Sequence, residues 1–180
     1  MKSIACLLAA LFFITVLVAP SWSDDKATVT SIIDGDTVEV TFADGAVKKV
    51  RLIGINAPEL FEPEKNARVL AQASKKHLSE LALNAQVELA YDETKSDMYG
   101  RTLAFLWKGS VMINEQMIGE GYARAYLKFP FQNCYMEVFQ KAENFAKTRR
   151  LGLWSNAAFA TAGDKEYLHQ TSPSTIIQGK

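Results

Sequence analysis

The sequence predicts a mainly β fold with helices (α+β), in which five strands close into a small barrel with helices packed on its side. Two observations carry this prediction. Short β-branched runs with alternating apolar residues are separated by Asp-Gly pairs, which is a strong hairpin signal. One helical segment also interrupts the strands after the third, and this order of elements is typical of a small closed barrel.

The strands and the first helix follow from the spacing of apolar residues. Three antiparallel strands are predicted at 27–33, 38–42 and 47–53. A helix is predicted at 65–83, because Leu70, Leu78 and Leu81 recur on or near one face. Two further strands are predicted at 87–91 and 103–107, joined by the polar segment 92–99, which we expect to be a mobile loop.

The second half of the sequence predicts two more helices. Asn114 is a good N-cap for a short helix that ends at Gly119 or Gly121. A longer helix follows, with an apolar stripe from Tyr135 to Ala146 and basic residues before Gly152. From residue 157 the apolar period is lost, so we expect 157–180 to be a disordered tail.

Residues 1–23 have the composition of a secretory signal peptide. Lys2 precedes an apolar run from Ile4 to Val18, and small residues end at Ser23. An uncleaved membrane anchor is the alternative. We expect cleavage, no stable anchor afterwards, and one exported domain at 24–156 that acts as a periplasmic or secreted monomer.

Charge and cysteine content limit the function classes. The chain has 20 basic and 20 acidic residues, which argues against a generally basic nucleic-acid coat, so bound phosphate would need a local patch and a metal. After signal cleavage only Cys134 remains, and no internal disulfide can form. We expect Cys134 to be buried or unreactive, with pairing between chains as the alternative.

Several polar side chains form a set that could cleave a phosphodiester. Asp36 follows a strand and could offer a hard oxygen to a calcium-like cation, with Asp34 fixing the turn. Arg51 and Arg101 could take up developing charge, and Glu59 could direct water. Each of these residues, taken alone, has an ordinary interpretation as a turn or solvated side chain. Their order along the strands is what favours a site.

Two tyrosines and two histidines are further candidates for a functional role. Tyr99 and Tyr126 could stack on a base or bind phosphate, although aromatic packing is the commoner role of a single tyrosine. His77 and His169 belong to no cluster with zinc spacing, so we assign no zinc site.

Four ordered motifs and a closing motif resemble the staphylococcal nuclease (thermonuclease) family. The resemblance extends from residue 27 to about residue 155, essentially the whole predicted domain. The motifs are Ile33-Asp-Gly-Asp-Thr-Val38, Arg51-Leu-Ile-Gly-Ile-Asn-Ala-Pro-Glu59, Asp97-Met-Tyr-Gly-Arg-Thr-Leu-Ala104, Ile113-Asn-Glu115 and Leu151-Gly-Leu-Trp-Ser155.

This resemblance implies a five-stranded OB-fold barrel with three α-helices and calcium-dependent hydrolysis of DNA and RNA to 3′-phosphate products. It implies calcium ligands at Asp36, at Asn56 and at the backbone carbonyl of Ala57. It further implies that Glu59 orients or deprotonates the attacking water, that the two arginines bind the scissile phosphate, and that the two tyrosines contact nucleotide.

Two positions depart from the family pattern. Asn56 stands where the family usually has an aspartate, which removes one negative charge from the metal site and predicts a weaker or altered metal requirement. Met98 stands where a lysine or arginine is common, which removes a charge beside the phosphate. The alternative function is therefore a catalytically weak or inactive nucleic-acid-binding module.

Overall fold

The computed structural model describes residues 25–59, 65–129 and 131–155. The predicted signal peptide and tail lie outside these residues. No helix within these three ranges combines the length and apolarity needed to cross a membrane.

The described residues form eight strands, three α-helices and one 3-10 helix. The strands are β1 (Asp25–Ile32), β2 (Thr37–Phe42), β3 (Val47–Leu52), β4 (Ile55–Asn56), β5 (Gln86–Ala90), β6 (Thr102–Lys108), β7 (Val111–Met112) and β8 (Arg124–Ala125). The helices are α1 (Lys65–Ala82), α2 (Ile113–Gly119) and α3 (Asn133–Arg149), and the 3-10 helix is Gly152–Ser155. Each of the five predicted strands corresponds to one of the longer strands.

The five longer strands close into a barrel. They run in the order β3-β2-β1-β5-β6, and β3 also pairs with β6. That closing pair is parallel, with Arg51 opposite Leu103, whereas the other neighbours are antiparallel. Inward-facing residues such as Val40 and Val50 are fully buried, as strand alternation requires. The predicted α+β barrel with three helices is confirmed.

Helix α1 packs against the barrel and α2 through a narrow buried face. Ala71, Ser74, Leu78 and Ala82 have no exposed surface and recur every three or four residues, as one face of a helix demands. Ser74 is the polar member of this face and lies beside the turn between β1 and β2.

The structure contradicts the N-cap prediction for Asn114 and the buried alternative for Cys134, while an unreactive Cys134 stays a prediction. Asn114 is not the N-cap of α2, because that position is Met112, without a side-chain cap. Asn114 is fully buried; its amide accepts the N–H of Leu106 and donates to the carbonyl of Ile53, both at 2.9 Å. Cys134 is not buried but exposed, because it lies in the first turn of α3 on the solvent side.

Candidate active site

The turn between β1 and β2 is fixed by its own side chains. The carboxylate of Asp34 accepts the backbone N–H of Asp36 at 2.9 Å, which is the local bond that makes aspartate favourable in turns. Asp34 therefore fixes the turn, as the sequence predicts. Gly35 between them is buried, and a Cβ there would lie 2.1 Å from the Ser74 hydroxyl oxygen.

Asp36 is a buried carboxylate with only 5% of its surface exposed. Its Oδ2 accepts the backbone N–H of Ala57 at 2.9 Å and lies 3.0 Å from Nη2 of Arg51. Its Oδ1 accepts the hydroxyl of Thr37 at 3.0 Å. Thr37 is a site residue that the sequence reasoning missed, since a threonine after Asp-Gly-Asp has no local signal beyond strand propensity.

Burial determines the protonation of Asp36. Removal from water is the largest effect on its pKa and raises it. The guanidinium of Arg51 and the N–H of Ala57 lower the pKa, nearby Asp34 raises it, and the net result is a pKa of about 6. An ion pair at 3.0 Å would ordinarily depress the pKa of a carboxylate. Here the loss of hydration outweighs that pair, so Asp36 carries a free-energy cost when it is ionised.

Arg51 is held under Asp36 by the pairing of β2 with β3. Thr37 lies opposite Arg51 in that pairing, so the arginine side chain emerges beside the turn that carries Asp36. Its Nη1 donates to the carbonyl of Leu52 at 2.7 Å, and only 16% of the side chain is exposed. The alternative of a solvated strand arginine is therefore wrong for Arg51.

Of the residues predicted to complete the metal site, Asn56 lies on a second, two-stranded sheet and Ala57 directly follows it. β4 pairs with β8, which places Asn56 opposite Arg124. Asn56 is exposed, whereas Ala57 is buried and bonded to Asp36. Glu59 is exposed two residues further on, after Pro58. Strands of two residues carry too little pattern to be predicted from sequence.

Arg101 is positioned by a turn built around Asp97. One carboxylate oxygen of Asp97 accepts the N–H groups of Tyr99 and Arg101, each at 2.9 Å, and the other accepts Nε of Arg101 at 2.7 Å. Burial acts to raise the pKa of Asp97, but the hydrogen bonds and charge of Arg101 and the N–H of Tyr99 hold it below its ordinary value. Gly100 supplies the positive φ of 77°. The segment predicted to be a mobile loop thus contains a hydrogen-bonded turn.

The parallel pairing of β3 with β6 brings the two arginines to neighbouring strands. Val50 lies opposite Thr102. Arg51 directly follows Val50, and Arg101 directly precedes Thr102. The structure therefore joins two motifs that lie 50 positions apart in the sequence. A shared role in binding one phosphate would require the two segments that carry these arginines to be neighbours, as this pairing makes them.

The two predicted tyrosines occupy different surroundings. Tyr99 is 77% exposed, with the Arg101 guanidinium 5.6 Å from its ring centre. The N–H of Tyr126 donates to the carbonyl of Gly54 at 2.8 Å, and its ring centre lies 5.9 Å from that of exposed Phe129. The sequence analysis did not single out Phe129 as a neighbour of Tyr126.

The donor chemistry around Asp36 suits a hard cation. Asp36, Asn56 and Ala57 offer carboxylate, amide and carbonyl oxygens, the ligand types of calcium. A carboxylate has about four lone-pair directions, and the three contacts described leave one toward Oδ1. Within the described residues there is no cluster of three or more His, Cys, Asp or Glu side chains that could hold a metal, so backbone, amide or water oxygens would have to complete the shell.

The matching family model and three similar relatives are all named as nucleases. The family described as staphylococcal nuclease homologues matches residues 49–156. The thermonuclease of Staphylococcus intermedius is 37% identical over 130 residues, covering 70% of this chain and 74% of that protein. The thermonuclease of Staphylococcus hyicus is 36% identical over 132 residues, covering 71% and 75%. The SPbeta prophage-derived endonuclease YokF of Bacillus subtilis is 30% identical over 135 residues, covering 74% of this chain and 45% of its own length.

Proposed function

The chain belongs to the staphylococcal nuclease family, and we propose from this premise that its site hydrolyses DNA and RNA with a bound calcium ion, leaving 3′-phosphate ends. That it is a nucleic-acid-hydrolysing enzyme follows from the family and from relatives named as thermonucleases and endonucleases. Dependence on calcium, lack of sugar specificity, export and the type of product are our proposals.

The observation that carries the proposal is the burial of Asp36 against Arg51. A carboxylate whose pKa is raised to about 6 by burial destabilises the folded chain when ionised. A purely structural position would be filled at less cost by a neutral side chain. Costly, perturbed ionisable groups of this kind cluster at functional sites.

In this proposal, Asp36, Asn56 and the carbonyl of Ala57 hold the cation. The cation would supply a positive charge that stabilises the developing charge on phosphate oxygens. Because Asn56 is neutral, Asp36 is the one anionic member of this proposed ligand set. We therefore expect weaker calcium binding than an aspartate at position 56 would give.

We assign the remaining roles to the two arginines, Glu59 and the two tyrosines. Arg51 and Arg101 bind the scissile phosphate, since guanidinium groups pair with phosphate oxygens in bidentate geometry. Glu59, exposed in the loop after Pro58, orients or deprotonates the attacking water. Tyr99, with its ring exposed beside Arg101, and Tyr126 contact the nucleotide.

One observation favours the alternative of a weakly active or inactive nucleic-acid-binding module. Asn56 is neutral, and the buried neighbour that would bind the cation, Asp36, already has two hydrogen bonds and an ion pair. If calcium cannot compete with those contacts, the arginines would still bind phosphate without cleavage.

Calcium titration of the purified protein in the presence of a nucleotide bisphosphate separates the two functions. The nuclease proposal expects a saturable heat of calcium binding and cleavage of both DNA and RNA that stops when calcium is chelated. Nucleotide binding without any effect of calcium on either signal would favour the binding module instead.

A further inference from the structure

We propose that Ser74 is a positioning residue that sets the relative placement of Asp36 and Asn56. Ser74 lies on α1, outside every motif considered above, and would not touch substrate. This inference rests on the proposed metal-dependent function, because it concerns the geometry of the proposed ligands. It is carried by two contacts of the buried Ser74 side chain, with Gly35 and with Tyr122, and by the packing of Gly35 against Ala57.

The first contact is with the turn that carries Asp36. A Cβ built on Gly35 would lie 2.1 Å from Oγ and 2.8 Å from Cβ of Ser74. These separations are far inside van der Waals contact, so the backbone of Gly35 lies directly on the serine side chain. Asp36 is the next residue, and its position follows that of Gly35.

The second contact involves Ala57, one of the proposed ligands. The same Cβ position at Gly35 would lie 2.6 Å from the methyl group of Ala57, and the N–H of Ala57 donates to Asp36. Gly35 is therefore enclosed between Ser74 on one side and Ala57 on the other. A shift of the serine would let the turn move away from Ala57, which directly follows β4.

The third contact connects Ser74 to the strand opposite Asn56. Its hydroxyl donates to the carbonyl of Tyr122 at 2.6 Å, and two residues later Arg124 pairs with Asn56. The N–H of Tyr122 is bonded to the carbonyl of Met117 at 2.8 Å, and its ring stacks on His77 with 3.9 Å between ring centres. Tyr122 is thus a firmly held anchor for the serine.

These contacts give Ser74 a role beyond filling space. Its side chain has no exposed surface. It bridges the turn of Asp36 to the segment that leads to Arg124, the residue paired with Asn56. Groups that orient metal ligands typically affect metal affinity by about tenfold to a hundredfold when they are removed. Ser74→Ala would remove the bridge and leave the partly buried carbonyl of Tyr122 without this donor.

The test measures calcium binding by isothermal titration calorimetry on the full chain, with circular dichroism to confirm folding at the working temperature. We expect Ser74→Ala to weaken the calcium Kd by about tenfold and to lower kcat more than it changes KM. Ser79→Ala, on the same helix, is the matched control and should stay within about twofold of the unmodified protein. A folded Ser74→Ala variant with unchanged calcium affinity would overturn the inference.

A double-mutant cycle with Gly35→Ala tests the contact from the other side. Gly35→Ala should weaken calcium binding in the unmodified background, and by less in the Ser74→Ala background. The closest contact, with Oγ at 2.1 Å, is then absent, while those with Ala57 at 2.6 Å and with Cβ of residue 74 at 2.8 Å remain. Independent effects of the two substitutions would contradict the inference. Where Ser74→Ala is too unstable for comparison, Gly35→Ala in the unmodified background decides alone, and unchanged calcium affinity in that folded variant would contradict the inference. If the unmodified protein binds no calcium, the proposed function fails; if it binds calcium and the cycle shows no coupling, only the role of Ser74 fails.

Discussion

Replacing Asp36 by asparagine should make the metal-free protein more stable at neutral pH while removing its nuclease activity. The ordinary pKa of an aspartate is 3.8, and burial raises that of Asp36 to about 6. Each tenfold difference in proton affinity is about 1.4 kcal/mol. The ionised carboxylate therefore costs the folded state about 3 kcal/mol relative to its protonated form.

The sign of the pH effect follows from which state binds the proton more tightly. The folded protein does so, because the folded pKa of Asp36 lies above the unfolded value. The stability associated with protonated Asp36 is fully present below about pH 3.8 and is lost as the pH rises through about 6. Asparagine cannot ionise, so its advantage over aspartate should grow by about 3 kcal/mol between about pH 4 and pH 7.5.

Urea denaturation of both proteins at several pH values, in the presence of a chelator, measures this difference directly. Asp44→Asn is the matched control. Like Asp36, Asp44 accepts one backbone N–H at 2.9 Å, in its case from Ala46, but it lies in an exposed turn. A difference between Asp36→Asn and the unmodified protein that stays constant with pH would refute the reasoning about burial. Added calcium should then stabilise the unmodified protein at neutral pH and leave Asp36→Asn unaffected.

Three further predictions concern the metal ligands, the phosphate site and the core. Asn56→Asp should tighten calcium binding by roughly tenfold or more in calorimetry, because it adds a negative charge to the ligand set. Arg101→Ala should lower kcat by about 10²- to 10³-fold in steady-state assays, as expected for one charge-stabilising group. Asn114→Ala should lower the free energy of unfolding by about 2–4 kcal/mol, because the buried N–H of Leu106 and the carbonyl of Ile53 both lose a partner.

A different outcome would contradict each of these three predictions. Unchanged calcium affinity in Asn56→Asp would place the cation elsewhere. Full activity in Arg101→Ala would remove that arginine from the phosphate site, and Arg149→Ala, an exposed arginine beside Phe145, controls for general loss of charge. An Asn114→Ala variant as stable as the unmodified protein would mean that the two hydrogen bonds contribute little.

The strands were predictable because local pattern determines them. Alternating β-branched residues and Asp-Gly pairs mark β1, β2 and β3 to within about two residues of the observed ends. The closure of the barrel has no such local signal. It depends on the parallel pairing of β3 with β6, which joins residues far apart in the sequence. The sequence indicates this closure only through the order of its strands and helices.

The candidate site was predictable in its members but not in its contacts. Alternation placed Arg51 on the face opposite Leu52, yet only the pairing of Thr37 with Arg51 brings that arginine to Asp36. For Asn114, the local sequence signal predicted the wrong contacts. Asparagine before a helical run is also the local signature of an N-cap, and its actual partners, Leu106 and Ile53, are brought near by tertiary structure.

The most direct test of the proposed site is digestion of DNA and RNA by the purified protein, with calcium and with a chelator, alongside Arg51→Ala and Arg101→Ala. We expect cleavage of both nucleic acids in calcium, none in chelator, products with 3′-phosphate ends, and a large loss of rate in both variants. Cleavage that persists in chelator, or full activity in either variant, would contradict the site built from Asp36 and the two arginines.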